Sequence, residues 1–209
     1  LVVSGGHTHL VWVKDYGDYE VVGMTRDDAA GEAFDKVARV LGLAYPGGPS
    51  IDLISKKGNA QAIQFPRAYI DEDHFDFSFS GLKTAVINYL HNLKQRNETY
   101  KIEDVAASFQ QAVVDVLVDK TIKAAEKTGL SRIAVAGGVA ANSALRQCMT
   151  IRTREHGFEL FYPQLVYCTD NAAMIGCAAY YKLIHGKIDD LFLNVEPSFS
   201  KIVADRRQY

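Results

Sequence analysis

Apolar and polar positions alternate at the start of the chain and then settle into helical spacing. Leu1-Val2-Val3-Ser4 reads as the end of a buried strand, and Ser4-Gly5-Gly6-His7-Thr8 as a tight turn. His7, His9, Val11 and Val13 alternate with Thr8, Leu10 and Trp12, which is the period of a strand. Asp15–Asp18 is a turn and Tyr19–Thr25 the returning strand. From Asp27 to Leu43 the period lengthens, and Ala30, Phe34, Val37, Ala38 and Leu41 fall on one helical stripe. Asp27, Asp28 and Glu32 lie in its first turn, where the helix dipole favours negative charge. Tyr45-Pro46-Gly47-Gly48-Pro49 breaks the pattern, and a short helix, Ser50–Lys57, follows. Gln61–His74 is irregular. Phe75–Phe79 alternates like a strand, and Ser80 opens a helix to about Arg96. After a polar loop at Asn97–Tyr100, Lys101–Thr128 is a long helix with Ile102, Val105, Phe109, Ala112, Val113, Val116 and Leu117 three or four apart.

The stretch that organises the rest is Ile133–Leu145. A short apolar run ends in Gly137-Gly138, and a helix running to about His156 begins at once, with Asn142-Ser143 near its start. Glycine lets the main chain approach a ligand, and the first N–H groups of a helix lack internal partners and point at an anion. Asn142 either caps that helix or hydrogen-bonds a ligand hydroxyl. Glu159–Tyr162 is a short strand ended by Pro163, and Thr169–Gly176 enters a last apolar helix reaching about His185. Beyond Gly186 the signals fade into a tail. Strands that lead, helices that trail and two glycine turns after strands predict an α/β fold, a mixed sheet flanked by helices. Ligands in such folds sit beyond the strand ends.

Composition alters this picture little. Hydrophobic residues at 48% and charged residues at 23% of 209 are ordinary for a globular chain. A net charge of −2 gives no global basic surface, so any nucleic-acid contact must be a local patch. Cys148, Cys168 and Cys177 have neither CxxC nor zinc-finger spacing and read as reduced thiols of a cytoplasmic protein. No apolar run approaches the roughly 18–20 residues of a membrane span. The opening inside a strand, without methionine, suggests a fragment of something longer.

Several residues could carry chemistry. Ser4–Thr8 is a candidate phosphate or carbonyl cradle, but no Gly-Lys-Ser/Thr follows, so it is not a P-loop. Asp35 is either a solvated helix-face charge or a hydroxyl acceptor. Gly48 either belongs to a helix stop or allows close approach of a base or ribose. Asp170 is either an N-cap or one hard-oxygen metal ligand. His7 and His9 share a strand face, but no His-x-x-x-His pair exists. Lys83, Lys94, Arg96, Arg152 and Arg154 read as a solvated face or as backbone-phosphate contacts.

Six segments in one order carry a resemblance: Ser4–Leu10 (SGGHTHL), Asp27–Lys36 (DDAAGEAFDK), Tyr45–Pro49 (YPGGP), Phe77–Ala85 (FSFSGLKTA), Gly137–Arg146 (GGVAANSALR) and Cys168–Gly176 (CTDNAAMIG). Together they resemble the TsaD family, tRNA N6-adenosine threonylcarbamoyltransferase, formerly O-sialoglycoprotein endopeptidase. The resemblance implies an actin-like ATPase (ribonuclease H-like) fold of two α/β lobes. Residues 1–198 would form the C-terminal lobe and part of the cleft, with 199–209 a tail of unknown role. It implies transfer of a threonylcarbamoyl group from its AMP adduct to N6 of the adenosine beside the anticodon, with tRNA, TsaB-like and TsaE-like proteins as partners. Whether the protein forms a homo-oligomer stays open.

By the resemblance, Val2, Val3, Ser4, Gly5 and Gly6 contact the adenylate (threonylcarbamoyl-AMP, or ATP or AMP). Asp35, Gly48, Asp52 and Asn142 match positions that bind its adenosine and ribose, and Asp170 matches the carboxylate ligand of one iron or zinc ion. The family's other metal ligands, a His-x-x-x-His pair on an N-terminal helix, are missing here, so the chain by itself is expected to be inactive. The substrate is already activated, so the protein needs no nucleophile and works by positioning and electrostatics. Three competing readings are a metal-dependent glycoprotease, a non-catalytic actin-like partner resembling TsaB, and a plain actin-like ATPase or sugar kinase.

Overall fold

The computed structural model describes residues 1–70 and 72–194. Its organising strand is also its shortest. β1 (Val2–Val3) pairs antiparallel with β2 (Thr8–Asp15), which pairs antiparallel with β3 (Asp18–Met24). On its other side β1 meets the segment that follows β4 (Arg132–Ala134), through a parallel bridge between Val2 and Ala136. Val3 donates its N–H to the Ala136 carbonyl at 2.8 Å, and Ala136 returns one to Leu1 at 2.9 Å. β4 runs parallel to β5 (Glu159–Phe161). The strands therefore lie in the order β3-β2-β1-β4-β5, a mixed arrangement with both glycine turns leaving its centre.

Helices α1 (Ala30–Val40), α2 (Gly47–Ser55), α3 (Ser80–Gln95), α4 (Ile102–Thr128) and α5 (Ser143–Glu155) share one core with Val3, Leu10, Ile133 and Val135 of the sheet region. α4 runs through the middle of that core, with Val105, Phe109, Val113 and Leu117 fully buried. Each such side chain contributes on the order of 1.5–3 kcal/mol by leaving water. α4 ends at Gly129, whose φ of 69° is a left-handed conformation suited to glycine at a helix end. Lys120 of α4 is also fully buried, and its ammonium donates to the carbonyls of Glu72 (3.1 Å) and His74 (2.5 Å). Burial pushes its pKa below the usual lysine value, with Lys123 adding to the effect.

The mixed α/β arrangement is the one expected, with local corrections. α1 begins at Ala30, not Asp27: Asp27 is turned to the start of α3, and Asp28 bridges α1 and α3. Asp27 accepts the N–H groups of Phe79 (2.8 Å) and Ser80 (3.2 Å) at the start of α3. Asp28 pairs with Lys36 at 2.8 Å and Lys83 at 3.0 Å. Phe75–Phe79 is not a strand. Only Phe77 bridges, to Thr25, and burial does not alternate, since Asp76 and Ser78 are buried along with Phe77 and Phe79. α2 begins at Gly47 and not at Ser50, since a carboxylate of α1 satisfies its first N–H. A 3-10 turn, Gly138–Ala141, separates the second glycine turn from α5. The last helix, α6 (Ala172–Ile184), is capped by Asn171, which accepts the Met174 N–H at 3.0 Å, and not by Asp170. The tail at 199–209 lies outside the described residues.

Candidate functional site

The residues singled out in the sequence come together through a closed circuit of contacts at the end of β1. The Ser4–His7 turn closes on itself: Ser4 N–H donates to the His7 carbonyl and His7 N–H to Ser4 Oγ, at 2.8 and 3.1 Å. α1 stands on this turn. Ala30 donates to Thr8 Oγ1 at 2.9 Å and Gly31 to the Ser4 carbonyl at 3.1 Å, so two of the helix's unpaired N–H groups are satisfied by β1–β2. A Cβ on Gly31 would lie 2.6 Å from that carbonyl, which is why a glycine stands there.

α1 then holds α2. Asp35 Oδ1 accepts the Gly47 N–H at 2.7 Å, and the helices touch so closely that a Cβ on Gly47 would meet Asp35 Cα at 2.6 Å. Asp35 is therefore neither a free surface charge nor an idle acceptor. α2 in turn holds α5: Asp52 accepts from Ser143 Oγ at 2.7 Å and from Ser143 N at 3.3 Å. Asn142 completes that helix start, with Oδ1 accepting the Leu145 N–H at 2.9 Å and Nδ2 donating to Gln110 Oε1 of α4 at 2.8 Å. The circuit closes at Gly137, where φ is 97° and a Cβ would collide with the Val3 carbonyl.

This corrects one expectation. The start of α5 offers an anion fewer bare N–H groups than expected, because Asp52 and Asn142 already occupy those of Ser143 and Leu145. Space instead lies over other glycines: a Cβ on Gly5, Gly6 or Gly48 would find nothing within 4 Å. Gly5 and Gly6 are exposed and Gly48 half-exposed, whereas Val3 and Asn142 are buried and Val2 is 36% exposed. The fold thus places Val2, Val3, Ser4, Gly5, Gly6, Asp35, Gly48, Asp52 and Asn142 on one linked rim, with packed glycines holding the elements together and open ones facing outward.

Two carboxylates beside the rim are held ionised. Burial raises the Asp27 pKa, but donors from Ser78, Phe79 and Ser80 outweigh it and hold the group below 3.8. For Asp28, burial is likewise outweighed by hydrogen bonds from Lys36 and Lys83 and by their charges. Lys83 is thereby an internal partner and not a phosphate contact. Arg152 lies near Asp119 and Glu155, while Lys94, Arg96 and Arg154 are exposed.

Asp170 stands apart from the circuit. It is exposed, and among the described residues it makes no hydrogen bond or ion pair. His7, in the turn before β2 and not on the strand face expected, lies with its ring centroid 5.5 Å from that of His9 on β2. Among the described residues no group of three or more His, Cys, Asp or Glu side chains could hold a metal ion. A transition-metal site needs several ligands in fixed geometry, so the residues described here do not by themselves fit one.

Sequence reasoning missed two contributors, Gln110 and Arg146, and named Thr8 only as part of the cradle, not as the acceptor at the start of α1. Arg146 closes the GGVAANSALR motif, yet nothing in its spacing announces what its side chain reaches.

The family description "TsaD: tRNA N6-adenosine threonylcarbamoyltransferase" matches residues 1–177. Among curated relatives, the tRNA N6-adenosine threonylcarbamoyltransferase of Clostridioides difficile (strain 630) is 58% identical over 198 residues, 95% of this chain and 59% of that protein. Those of Clostridium botulinum (strain 657 / Type Ba4) and Caldicellulosiruptor saccharolyticus are 59% and 56% identical, covering 95% and 97% of this chain. The chain spans 58% and 60% of those two proteins' lengths. Among solved structures, T. kodakarensis HypF shares the fold, at a TM-score of 0.57 and 18% identity over 78% of this chain and 21% of its own. Full-length HypF in a phosphate- and nucleotide-bound form gives 0.57 at 17% identity, with 78% and 26% covered.

Proposed function

Because the chain belongs to the TsaD family of tRNA N6-adenosine threonylcarbamoyltransferases, we propose that it supplies part of the adenylate site of such an enzyme. In the reaction the N6 amine of a tRNA adenosine attacks the carbamoyl carbon of threonylcarbamoyl-AMP. The N6–C bond forms, the C–O bond to the phosphate breaks, AMP leaves and the amine gives up a proton. Val2, Val3, Ser4, Gly5 and Gly6 hold the adenylate, and Asp35, Gly48, Asp52 and Asn142 its ribose and base. The observation that carries this reading is the rim on which all nine lie, with Gly5, Gly6 and Gly48 opening onto free space. A held adenylate is most of what such a reaction asks, since the leaving group is already activated.

Asp170, exposed and free of the cap it could have formed, supplies one oxygen ligand to an iron or zinc ion whose other ligands are not among the described residues. Residues 1–198 act as the C-terminal lobe of the actin-like molecule. The intact enzyme works on tRNA with TsaB-like and TsaE-like proteins in the cytoplasm, and this chain alone is inactive. No helix among the described residues is long and apolar enough to cross a membrane.

Titration of the chain with AMP tests the site. Binding is expected, and Gly48→Val should weaken it about tenfold or more, equal to ~1.4 kcal/mol. Absence of AMP binding by the wild-type chain overturns the reading. Incubating the chain with threonylcarbamoyl-AMP and unmodified tRNA should give no product, and robust transfer would refute the claim of inactivity.

A further inference from the structure

We infer that Arg146 is a positioning residue that ties the Gly137–Asn142 turn to the segment carrying Asp170. It leaves the first turn of α5, and its guanidinium is shared between two separate stretches of chain. On one side Nε donates to the Ala140 carbonyl at 2.6 Å, inside the 3-10 turn that follows the second glycine pair. On the other, Nη2 donates to the Pro163 carbonyl at 3.1 Å and reaches Cys168 Sγ at 3.5 Å. The cation also lies over the Tyr162 ring, 4.5 Å from its centroid. A planar fork with several fixed donors can serve both stretches at once, which a single ammonium cannot.

What is held on the far side matters more than the number of bonds. Cys168 is buried and fixed by Arg146, while Asn171 donates to the Thr169 carbonyl at 2.9 Å and caps α6. The residues flanking Asp170 are thus pinned, and among the described residues its own carboxylate makes no hydrogen bond or ion pair. The two stretches lie close together, since a Cβ added to Gly138 would come within 4.0 Å of Thr169 Cγ2. Arg146 converts that proximity into a fixed register between the turn beside the proposed adenylate site and the carboxylate proposed as metal ligand. The assignment of what is positioned rests on the reading above. The mechanical coupling does not.

Hydrogen exchange of the whole chain, read by mass spectrometry, separates the two. In Arg146→Met, which keeps an apolar stem over Tyr162 and removes every donor, exchange should rise about tenfold or more both in 137–142 and in 163–170. Exchange across Ile102–Thr128 should stay as in the wild type. Arg146→Lys serves if the Met variant does not fold, with the same paired rise expected. Loosening of only one of the two stretches, or of neither, overturns the inference. Adding AMP to the wild-type chain should protect 137–142 and also 163–170, and the second effect should vanish in the variant. Failure of the wild-type chain to bind AMP refutes the adenylate reading alone, because the ligand-free exchange result still decides the coupling.

Discussion

At Asn142 one amide side chain serves two elements, capping α5 through its oxygen and reaching α4 through its nitrogen. Replacing it by Ala removes a cap and strands the buried oxygen of Gln110, so Asn142→Ala should cost roughly 2–4 kcal/mol in chemical denaturation. A loss well under 1 kcal/mol would mean that the cap and the Gln110 contact are not both made. The same scale governs the acid response. Asp27 and Asp28 have folded pKa values below their unfolded value of 3.8. The folded protein therefore binds fewer protons at these sites, and their stabilisation is fully present above pH 3.8 and lost as pH falls through the lower folded values. The variant Asp27→Asn, Asp28→Asn should show a flatter fall in stability below pH 3.8 than the wild type, followed by urea titration at each pH. An unchanged slope would rule out these two carboxylates as the cause.

Among elements, those with a long period or a strong stop were legible. α4 kept its extent but not a single stripe, since it is buried on nearly every side where it crosses the core, and the β2–β3 hairpin announced itself by alternation. What the sequence hid was supplied by other segments. The start of α1 depends on Thr8 and Ser4, and α2 begins early because Asp35 lies one helix away. Local propensity cannot register a cap donated from elsewhere in the chain. Phe75–Phe79 misled for the opposite reason: its apolar-polar alternation is not matched by burial, because Asp76 and Ser78 are buried too, Asp76 accepting the Met24 N–H and Ser78 donating to Asp27. The glycine pair at 137–138 shows the same division. Gly137→Ala must adopt a φ of 97° and push against the Val3 carbonyl, so a loss of at least about 2 kcal/mol is expected. Gly138→Ala meets only Thr169 Cγ2 at 4.0 Å and should be nearly neutral. Equal melting temperatures for the two variants would contradict the packing of this turn on β1.

For the whole molecule, the site was legible mostly as a set of names. Asp35, Asp52 and Asn142 were nominated, Asp52 only through the family resemblance, and nothing in their spacing said that two of them would hold α2 and α5 in place. Asp35 reaches a residue 12 positions away and Asp52 one 91 positions away. The folded core is equally uneven. Leu145 and Met149 of α5 are fully buried, whereas Ile175 and Leu183 of α6 are 64% and 60% exposed. An apolar side chain stabilises a fold only through the surface it removes from water, so α6 contributes little to this core despite being its most apolar-looking helix. Leu145→Ala should cost about 2–5 kcal/mol in urea denaturation, by lost transfer energy and a residual cavity. Ile175→Ser with Leu183→Ser should change stability by less than about 0.5 kcal/mol per site while lowering the fluorescence of a hydrophobic dye such as ANS. A loss above 1 kcal/mol per site in the α6 variant would mean that these side chains are covered in solution, and the exposed face of α6 would have to be redrawn as part of the core.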